Sequence, residues 1–129
     1  MSDLVVHAVS GLRQRRQFLH LPWTLYRNDP YWIPPLRATQ REMVGYVPHP
    51  FYDRNEVQTF LACRGGKPCG RIAAIVNYGH IERYHDNRGF FGFFESIDDQ
   101  EVANGLFDAA RQWFAQRGIY AMRGPCNPS

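Results

Sequence analysis

One segment of the chain, residues 98–117, has a pattern that fixes its own conformation and constrains its neighbours. Apolar residues recur there at steps of three and four, which is the period of one helix face. They are Val102, Leu106, Ala110, Trp113 and Phe114. Asp98 and Glu101 have capping-box spacing at the start of this helix. An aromatic β-like run, residues 89–97, precedes the helix and a short apolar run, residues 119–123, follows it, so the sequence predicts a β-α-β crossover.

Upstream of this unit, two apolar runs flank a pair of glycines. The runs are residues 57–64 and 69–77, and Gly65 and Gly66 stand between them. Glycine tolerates the positive φ angles that tight hairpin turns require, so the pattern predicts two antiparallel strands. Residues 78–88 are polar and predict turns. A hairpin joined to a β-α-β unit indicates a mixed sheet with helices packed against it.

The first part of the chain predicts one strand followed by helical pieces. Residues 4–9 form a β-branched run typical of a strand, and residues 12–19 predict a basic surface helix. Pro22 predicts the start of a second short turn, because proline is well tolerated in the first turn of a helix. Three prolines within residues 28–36 favour extended backbone, and residues 37–44 predict another helical piece.

Composition excludes several classes of protein. The 129 residues indicate one domain, and a net charge of +3 without a clustered basic face predicts no nucleic-acid partner. An odd number of cysteines, three, and the lack of a secretory leader predict reduced thiols and a cytoplasmic protein. No apolar run approaches the ~18 residues that span a bilayer, so we expect no membrane partner.

These elements, in this order, resemble the GNAT superfamily of acyl-CoA N-acyltransferases. Residues 60–75, with their Pro-x-Gly-x-hydrophobic pattern after the turn, resemble the second and third strands of that family. Residues 89–97, 98–117 and 119–123 resemble its fourth strand, the helix that follows and its fifth strand. The resemblance implies an α+β fold with a GNAT-like mixed central sheet and flanking helices.

A narrower resemblance covers nearly the whole chain. Residues 21–30, 32–36, 89–95 and 123–129 are similar to stretches of a bacterial group of longer GNAT-like proteins of unassigned function. This resemblance implies that residues 1–129 are a single GNAT-like domain. The domain would comprise the N-terminal two-thirds of the fold and would thus be C-terminally truncated. The partners that it implies are another copy of the chain, in a homo-oligomer, or the remainder of a longer chain.

The resemblance also implies a site at the end of the fourth strand. The co-substrate would be acyl-CoA or acetyl-CoA, without a metal. Its contacts would be Phe93, Phe94, Ser96 and Ile97 through their backbone groups. Glu95 would act as a general base toward an amine, as a glutamate on this strand does in several members of the family. The alternative interpretation of Glu95 is a strand-end carboxylate that is solvated or paired with an arginine.

The junction after the fourth strand departs from the family pattern. GNAT enzymes usually carry Arg/Gln-x-x-Gly-x-Gly/Ala there, where glycines let backbone N–H groups approach the CoA pyrophosphate. Residues 96–103 contain no glycine and carry Asp98, Asp99 and Glu101. These acids favour the helix but repel an anion at its N-terminus. Two functions therefore stay open: an acyltransferase domain or fragment, and a non-catalytic binding or oligomerisation module.

Other chemically notable residues have ordinary explanations or two open ones. Four aromatic residues either build a wall for a substrate or partner or attach the proline-rich loop to the core. They are Trp23, Tyr26, Tyr31 and Trp32. His80 and His85 are predicted to lie in a solvated loop, since their spacing matches no known zinc site. The three cysteines, Cys63, Cys69 and Cys126, are predicted to be ordinary thiols.

Overall fold

A computed structural model of the chain describes residues 3–34 and 37–125, and these residues form one five-stranded sheet. The strands are β1 (Leu4–Ala8), β2 (Glu56–Arg64), β3 (Lys67–Val76), β4 (Gly89–Ser96) and β5 (Met122–Arg123). They lie across the sheet in sequence order. Neighbours from β1 to β4 are antiparallel, and β5 is parallel to β4. The predicted α+β class with a mixed central sheet is therefore confirmed.

Four α-helices flank this sheet in the described part of the chain. They are α1 (Gly11–Leu25), α2 (Arg37–Met43), α3 (Tyr78–Tyr84) and α4 (Gln100–Ala115). Helix α3 replaces part of the predicted turn-rich segment. It begins there because the side chain of Asn77 accepts a hydrogen bond from the backbone N–H of His80 at 3.0 Å, which caps the first turn.

Pro22 lies inside α1, so the predicted break into a second turn is wrong. A proline has no N–H, and the carbonyl of Phe18 therefore lacks the donor that an uninterrupted helix supplies from residue 22. The guanidinium of Arg71 on β3 donates to this carbonyl at 2.9 Å in the interior of the protein. A side chain of the sheet that faces α1 thus supplies the donor that the proline lacks.

The turn between β2 and β3 and the helix after β4 follow the sequence pattern closely. Gly65 and Gly66 both have positive φ, 59° and 79°, as a two-residue hairpin turn of type I′ requires. On α4, the buried stripe is formed by Val102, Leu106, Ala110 and Phe114. Trp113 lies at the edge of this stripe, because it packs against the same cluster but is only partly buried, beneath the guanidinium of Arg117 at 3.8 Å.

Two hydrophobic clusters pack on opposite faces of the sheet. On one face, the α4 stripe covers β3 residues such as Ile72 and Ala74. On the other face, Phe18 and Leu19 of α1 pack with Leu61 and Ala73. We call these the α4 face and the α1 face. Glu95 and Arg71 belong with the α1 face, and the candidate site is built there.

Candidate active site

Strand β4 contains a bulge just before its last residues. Arg71 of β3 pairs with Glu95, whereas Ala73 pairs with Gly92, so β4 has one residue more than β3 over this interval. Phe93 lies within the extra stretch at a φ of 54°, which is unusual for a residue with a side chain. A bulge bends its strand and redirects the side chains that follow it. Glu95 is the second residue after this irregular position.

The pairing of β4 with β5 is confined to the start of β4 in the described residues. Gly89 pairs with Met122 and Phe90 pairs with Arg123. The bulge and Glu95 both lie beyond this short parallel ladder. The C-terminal half of β4 is therefore the part of the sheet where an extended ligand has a strand to lie against.

Glu95 is held by the residue that follows α1 and caps its C-terminus, Tyr26. The hydroxyl of Tyr26 donates a hydrogen bond to Glu95 Oε2 at 2.5 Å, which connects residues 69 positions apart in the chain. This bond to the carboxylate, and secondly burial, raise the pKa of Tyr26 to about 12. Tyr26 therefore keeps its proton at neutral pH and acts as a donor, so one oxygen of Glu95 has a fixed position.

A buried cation lies opposite this carboxylate, on the neighbouring strand β3. Arg71 is 2% exposed and is the register partner of Glu95. Its guanidinium carbon lies 4.9 Å from the ring centroid of Phe18 and 5.8 Å from that of Phe93. Burial lowers the pKa of Arg71, while the negative charge of Glu95 acts in the opposite direction. The alternative interpretation of Glu95, a strand-end carboxylate that is solvated or paired with an arginine, stays open beside a chemical role.

Sequence reasoning missed Arg71 and the contact of Tyr26 with Glu95. The signal for Arg71 was present, because it is the single charged residue between Cys69 and Val76 in an otherwise apolar strand. A cation there needs a partner in the interior. The partner of Tyr26 had no such local signal, since Glu95 lies far along the chain.

The residues predicted to contact CoA face different directions. The N–H of Ile97 donates to the carbonyl of Cys69 at 2.9 Å, so this group is directed toward β3. Because residues of an antiparallel strand alternate in direction, the backbone groups of Ser96 and Phe94 point the other way, toward the β5 side. The ring of Phe94 stacks on Phe107 of α4 at 4.8 Å. These backbone groups lie on the part of β4 beyond its short ladder with β5.

The N-terminus of α4 is poorly suited to bind a pyrophosphate. Its cap is Asp99, not Asp98, because Asp99 Oδ1 accepts from the N–H of Glu101 at 3.0 Å. The guanidinium nitrogens of Arg64 lie 2.9 Å from a carboxylate oxygen of Asp99, 2.9 Å from one of Asp3 and 3.2 Å from one of Glu101. Arg64, a cation beside this helix terminus, is therefore shared by three carboxylates of the chain itself.

The remaining sequence candidates have structural roles. His80 Nε2 lies 3.1 Å from Asp86, and over residues 3–34 and 37–125 no group of histidine, cysteine and acidic side chains is arranged to hold a metal ion. Cys63 and Cys69 are free thiols, and Cys126 lies outside the described residues. In that same part of the chain, no helix combines the length and apolar character needed to cross a membrane.

Several solved acetyltransferase structures share this architecture. An aminoglycoside acetyltransferase from an uncultured soil metagenomic sample matches 96% of this chain and 78% of its own, with a TM-score of 0.62 and 15% identity. A tandem GNAT protein from the clavulanic acid pathway, solved without acetyl-CoA, matches 88% of this chain and 34% of its own, with a TM-score of 0.64 and 13% identity. The chain has the GNAT acyltransferase fold. An acetyltransferase from Streptococcus agalactiae agrees, with a TM-score of 0.58 and 12% identity over 93% of this chain and 70% of its own.

Sequence comparison adds relatives that are much longer than this chain. A protein named bacterial ceramide synthase, from Caulobacter vibrioides, is 36% identical over an alignment of 135 positions that covers 99% of this chain and 34% of the relative. Protein YghO of Escherichia coli is 36% identical over 110 residues, 85% of this chain and 28% of the relative. The chain thus spans about a third of the length of these relatives. No protein-family model matches it.

Proposed function

We propose that this GNAT-fold chain is an acyltransferase domain, or part of one, that moves an acyl group from acyl-CoA to an amine. The observation that carries the proposal is the carboxylate of Glu95, fixed by Tyr26 just beyond the bulge of β4. A positioned carboxylate is suited to accept the proton that an ammonium group loses before its nitrogen attacks. The name of the Caulobacter relative supports the same class of reaction, because a ceramide is an amine acylated on nitrogen.

The reaction assigns a separate task to each residue of the site. Glu95 accepts a proton from the ammonium group, and the freed nitrogen bonds to the thioester carbonyl carbon. The carbon–sulfur bond breaks, the nitrogen of the new amide releases its second proton to solvent, and the thiolate takes up a proton from solvent as it leaves. Tyr26 is a positioning residue that orients Glu95, and Arg71 is a positioning residue that balances its charge from the interior. The predicted co-substrate, acetyl-CoA or a longer acyl-CoA, would lie along the β4 edge.

The test measures amide formation by the full natural protein from acyl-CoAs of different acyl-chain length. Mass spectrometry detects the product. We expect Glu95→Gln to lower kcat by about 10²- to 10⁴-fold, the usual contribution of a general base. Glu82→Gln on the exposed surface of α3 is the matched control and should leave kcat unchanged. Full activity of Glu95→Gln would remove this residue from the mechanism.

A second candidate is a non-catalytic GNAT-like module that binds another copy or the rest of a longer chain. The specific observation in its favour is the N-terminus of α4, where Asp99 caps the helix and Arg64 is committed to acidic partners. Such a protein would show no heat of binding with acetyl-CoA or longer acyl-CoAs. Light scattering would also give the molar mass of a homo-oligomer, or the protein would bind the remainder of its own chain.

A further inference from the structure

The end of α1 and the loop that follows it carry a connected set of aromatic rings. His20 stacks on Trp23 with ring centroids 6.1 Å apart, and Trp23 meets Trp32 edge to face at 5.4 Å. Trp32 in turn stacks on Tyr26 at 5.6 Å. His20 and Trp23 lie three apart on one face of α1, and Tyr26 is the residue that caps its C-terminus, so the set follows the end of the helix. We call these four rings the aromatic row.

The aromatic row is not part of the interior that holds the fold together. Neither hydrophobic cluster of the described residues includes any of its rings. Trp23, Tyr26 and Trp32 are half-buried, and the adjoining loop exposes 90% of Tyr31 and 84% of Ile33. A connected, partly exposed apolar surface that the core does not use is typical of a binding site.

One end of the aromatic row is also part of the candidate site. The ring of Tyr26 stacks on Trp32, and its hydroxyl donates to the carboxylate of Glu95. An apolar surface therefore starts at a negative charge, which is complementary to a molecule with a cationic head and an apolar tail. Aromatic faces also attract ammonium groups directly. An acyl donor, whose reacting carbonyl carries no positive charge, does not match this combination.

We propose that the aromatic row binds the hydrocarbon chain of a long-chain primary amine whose ammonium group lies at Glu95. This inference rests on the proposed function, since it names the chemical class of the acceptor. It adds a specificity surface formed by Trp23 and Trp32, which meet each other edge to face next to Tyr26.

Binding can be measured without any acyl-CoA, because two tryptophans of the row are fluorescent reporters. The chain has three tryptophans, and Trp113→Phe leaves only Trp23 and Trp32. In this background, alkylamines from butylamine to dodecylamine are titrated below their micelle concentrations. We expect affinity to rise by about fourfold for each methylene that contacts the row, and to level off once the chain extends past it.

Variants of the row should separate a specific site from general stickiness. We expect Trp32→Ala to weaken dodecylamine binding at least tenfold, and Trp32→Leu to have an intermediate effect while preserving the fold, as checked by circular dichroism. Tyr120→Ala is the matched control, because this exposed aromatic residue precedes β5 and lies outside the row. Equal losses in Tyr120→Ala and Trp32→Ala would overturn the proposal.

The head group provides the second arm of the test. Glu95→Gln should weaken dodecylamine about tenfold and leave the binding of dodecanol unchanged. Equal affinity for dodecylamine and dodecanol, or affinity independent of chain length, would overturn the inference. A further contrary result would be that the protein binds amine-free phosphatidylcholine vesicles and that Trp32→Ala abolishes this binding. The row would then be a membrane contact.

The outcomes also distinguish this inference from the proposed function. Acylation of short amines without any preference for long ones would support the acyltransferase and overturn the acceptor assignment. Binding of long-chain amines as expected, with no acylation of any amine, would support the aromatic row as a binding site and overturn catalysis.

Discussion

The two faces of the sheet are covered by helices in different ways. On the α4 face, the contacts are between apolar side chains, such as Ile72 of β3 with Val102 and Leu106 of α4. On the α1 face, the adjacent position of the same strand is the buried cation Arg71, opposite Glu95. Burying polar groups lowers stability unless they are hydrogen-bonded or paired, whereas burying apolar surface raises it. The α4 face thus contributes mainly to stability, and the α1 face holds the ionisable groups of the candidate site.

Polar contacts on the α1 face extend well beyond Glu95. The hydroxyls of Tyr46 and Thr59 lie 2.7 Å apart, and the guanidinium of Arg15 lies 5.0 Å from the ring of Tyr46. Such contacts specify the positions of α1 and α2 relative to the sheet, because each has a required geometry. The three predictions that follow test whether the two faces differ as this comparison requires.

The largest effect is expected from a cavity on the α4 face. Phe114 is 1% exposed and lies so close to Gly89 that a Cβ atom there would be 2.1 Å from its ring. We expect Phe114→Ala to lower the free energy of unfolding by about 3–5 kcal/mol in urea titrations. Trp113→Ala should cost about 1–2 kcal/mol, because Trp113 is only partly buried and would leave less of a cavity. A greater loss in Trp113→Ala would contradict this assignment of the core.

The same contrast explains what the sequence could predict. The α4 face is encoded locally, since the spacing of Val102, Leu106 and Phe114 is the period of a helix and the Gly65-Gly66 turn fixes the hairpin. Contacts of the α1 face join distant residues, and no periodicity relates Tyr26 to Glu95. Asp99 rather than Asp98 caps α4, because helix boundaries shift by a residue with small changes in geometry. The fold was thus largely predictable, and the surroundings of Glu95 were not.

A pH-dependent effect is expected from the buried tyrosine on the α1 face. Burial raises the pKa of Tyr46 to about 12, against the opposing effects of Thr59 and the nearby arginines. The pKa is higher in the folded state than the roughly 10 of an unfolded chain. The neutral hydroxyl therefore contributes stability that is complete below about pH 10 and is lost as the pH rises to about 12.

Tyr46→Phe should remove part of this alkaline loss. We expect the free energy of unfolding to fall less steeply between pH 10 and pH 12 in the variant than in the wild type. At neutral pH the variant should be less stable by about 0.5–1.5 kcal/mol, because the hydrogen bond with Thr59 is lost. Tyr26 and Tyr52 also have raised pKa values but are present in both proteins. Arg71 is present in both as well, although the charge of ionised Tyr46, which raises the pKa of Arg71, is absent from the variant. Tyr84→Phe, at an exposed position, is the control, and parallel curves for wild type and Tyr46→Phe would refute the assignment.

The smallest effect on stability, and the most informative about the ligand, is expected where α4 begins. Asp98→Asn combined with Asp99→Asn removes two negative charges near the place that a pyrophosphate would occupy on approaching this helix. Asparagine is about as good an N-cap as aspartate, so the hydrogen bond from the N–H of Glu101 should persist. The helix loses favourable charges near its N-terminus, and we expect the free energy of unfolding to fall by less than about 1 kcal/mol.

Charge removal should act in the opposite direction on an anionic ligand. With Asp99 neutral, Arg64 loses one of its three acidic partners and the field of the helix terminus is less opposed, so calorimetry should show tighter binding of CoA. The gain should shrink as salt is added, because it is electrostatic. Asp108→Asn, at an exposed position further along α4, is the control for overall charge and should change CoA affinity much less. Sub-micromolar affinity of the wild-type protein that the double variant weakens would show that the acids assist CoA binding, whereas no affinity in either protein would favour the non-catalytic module.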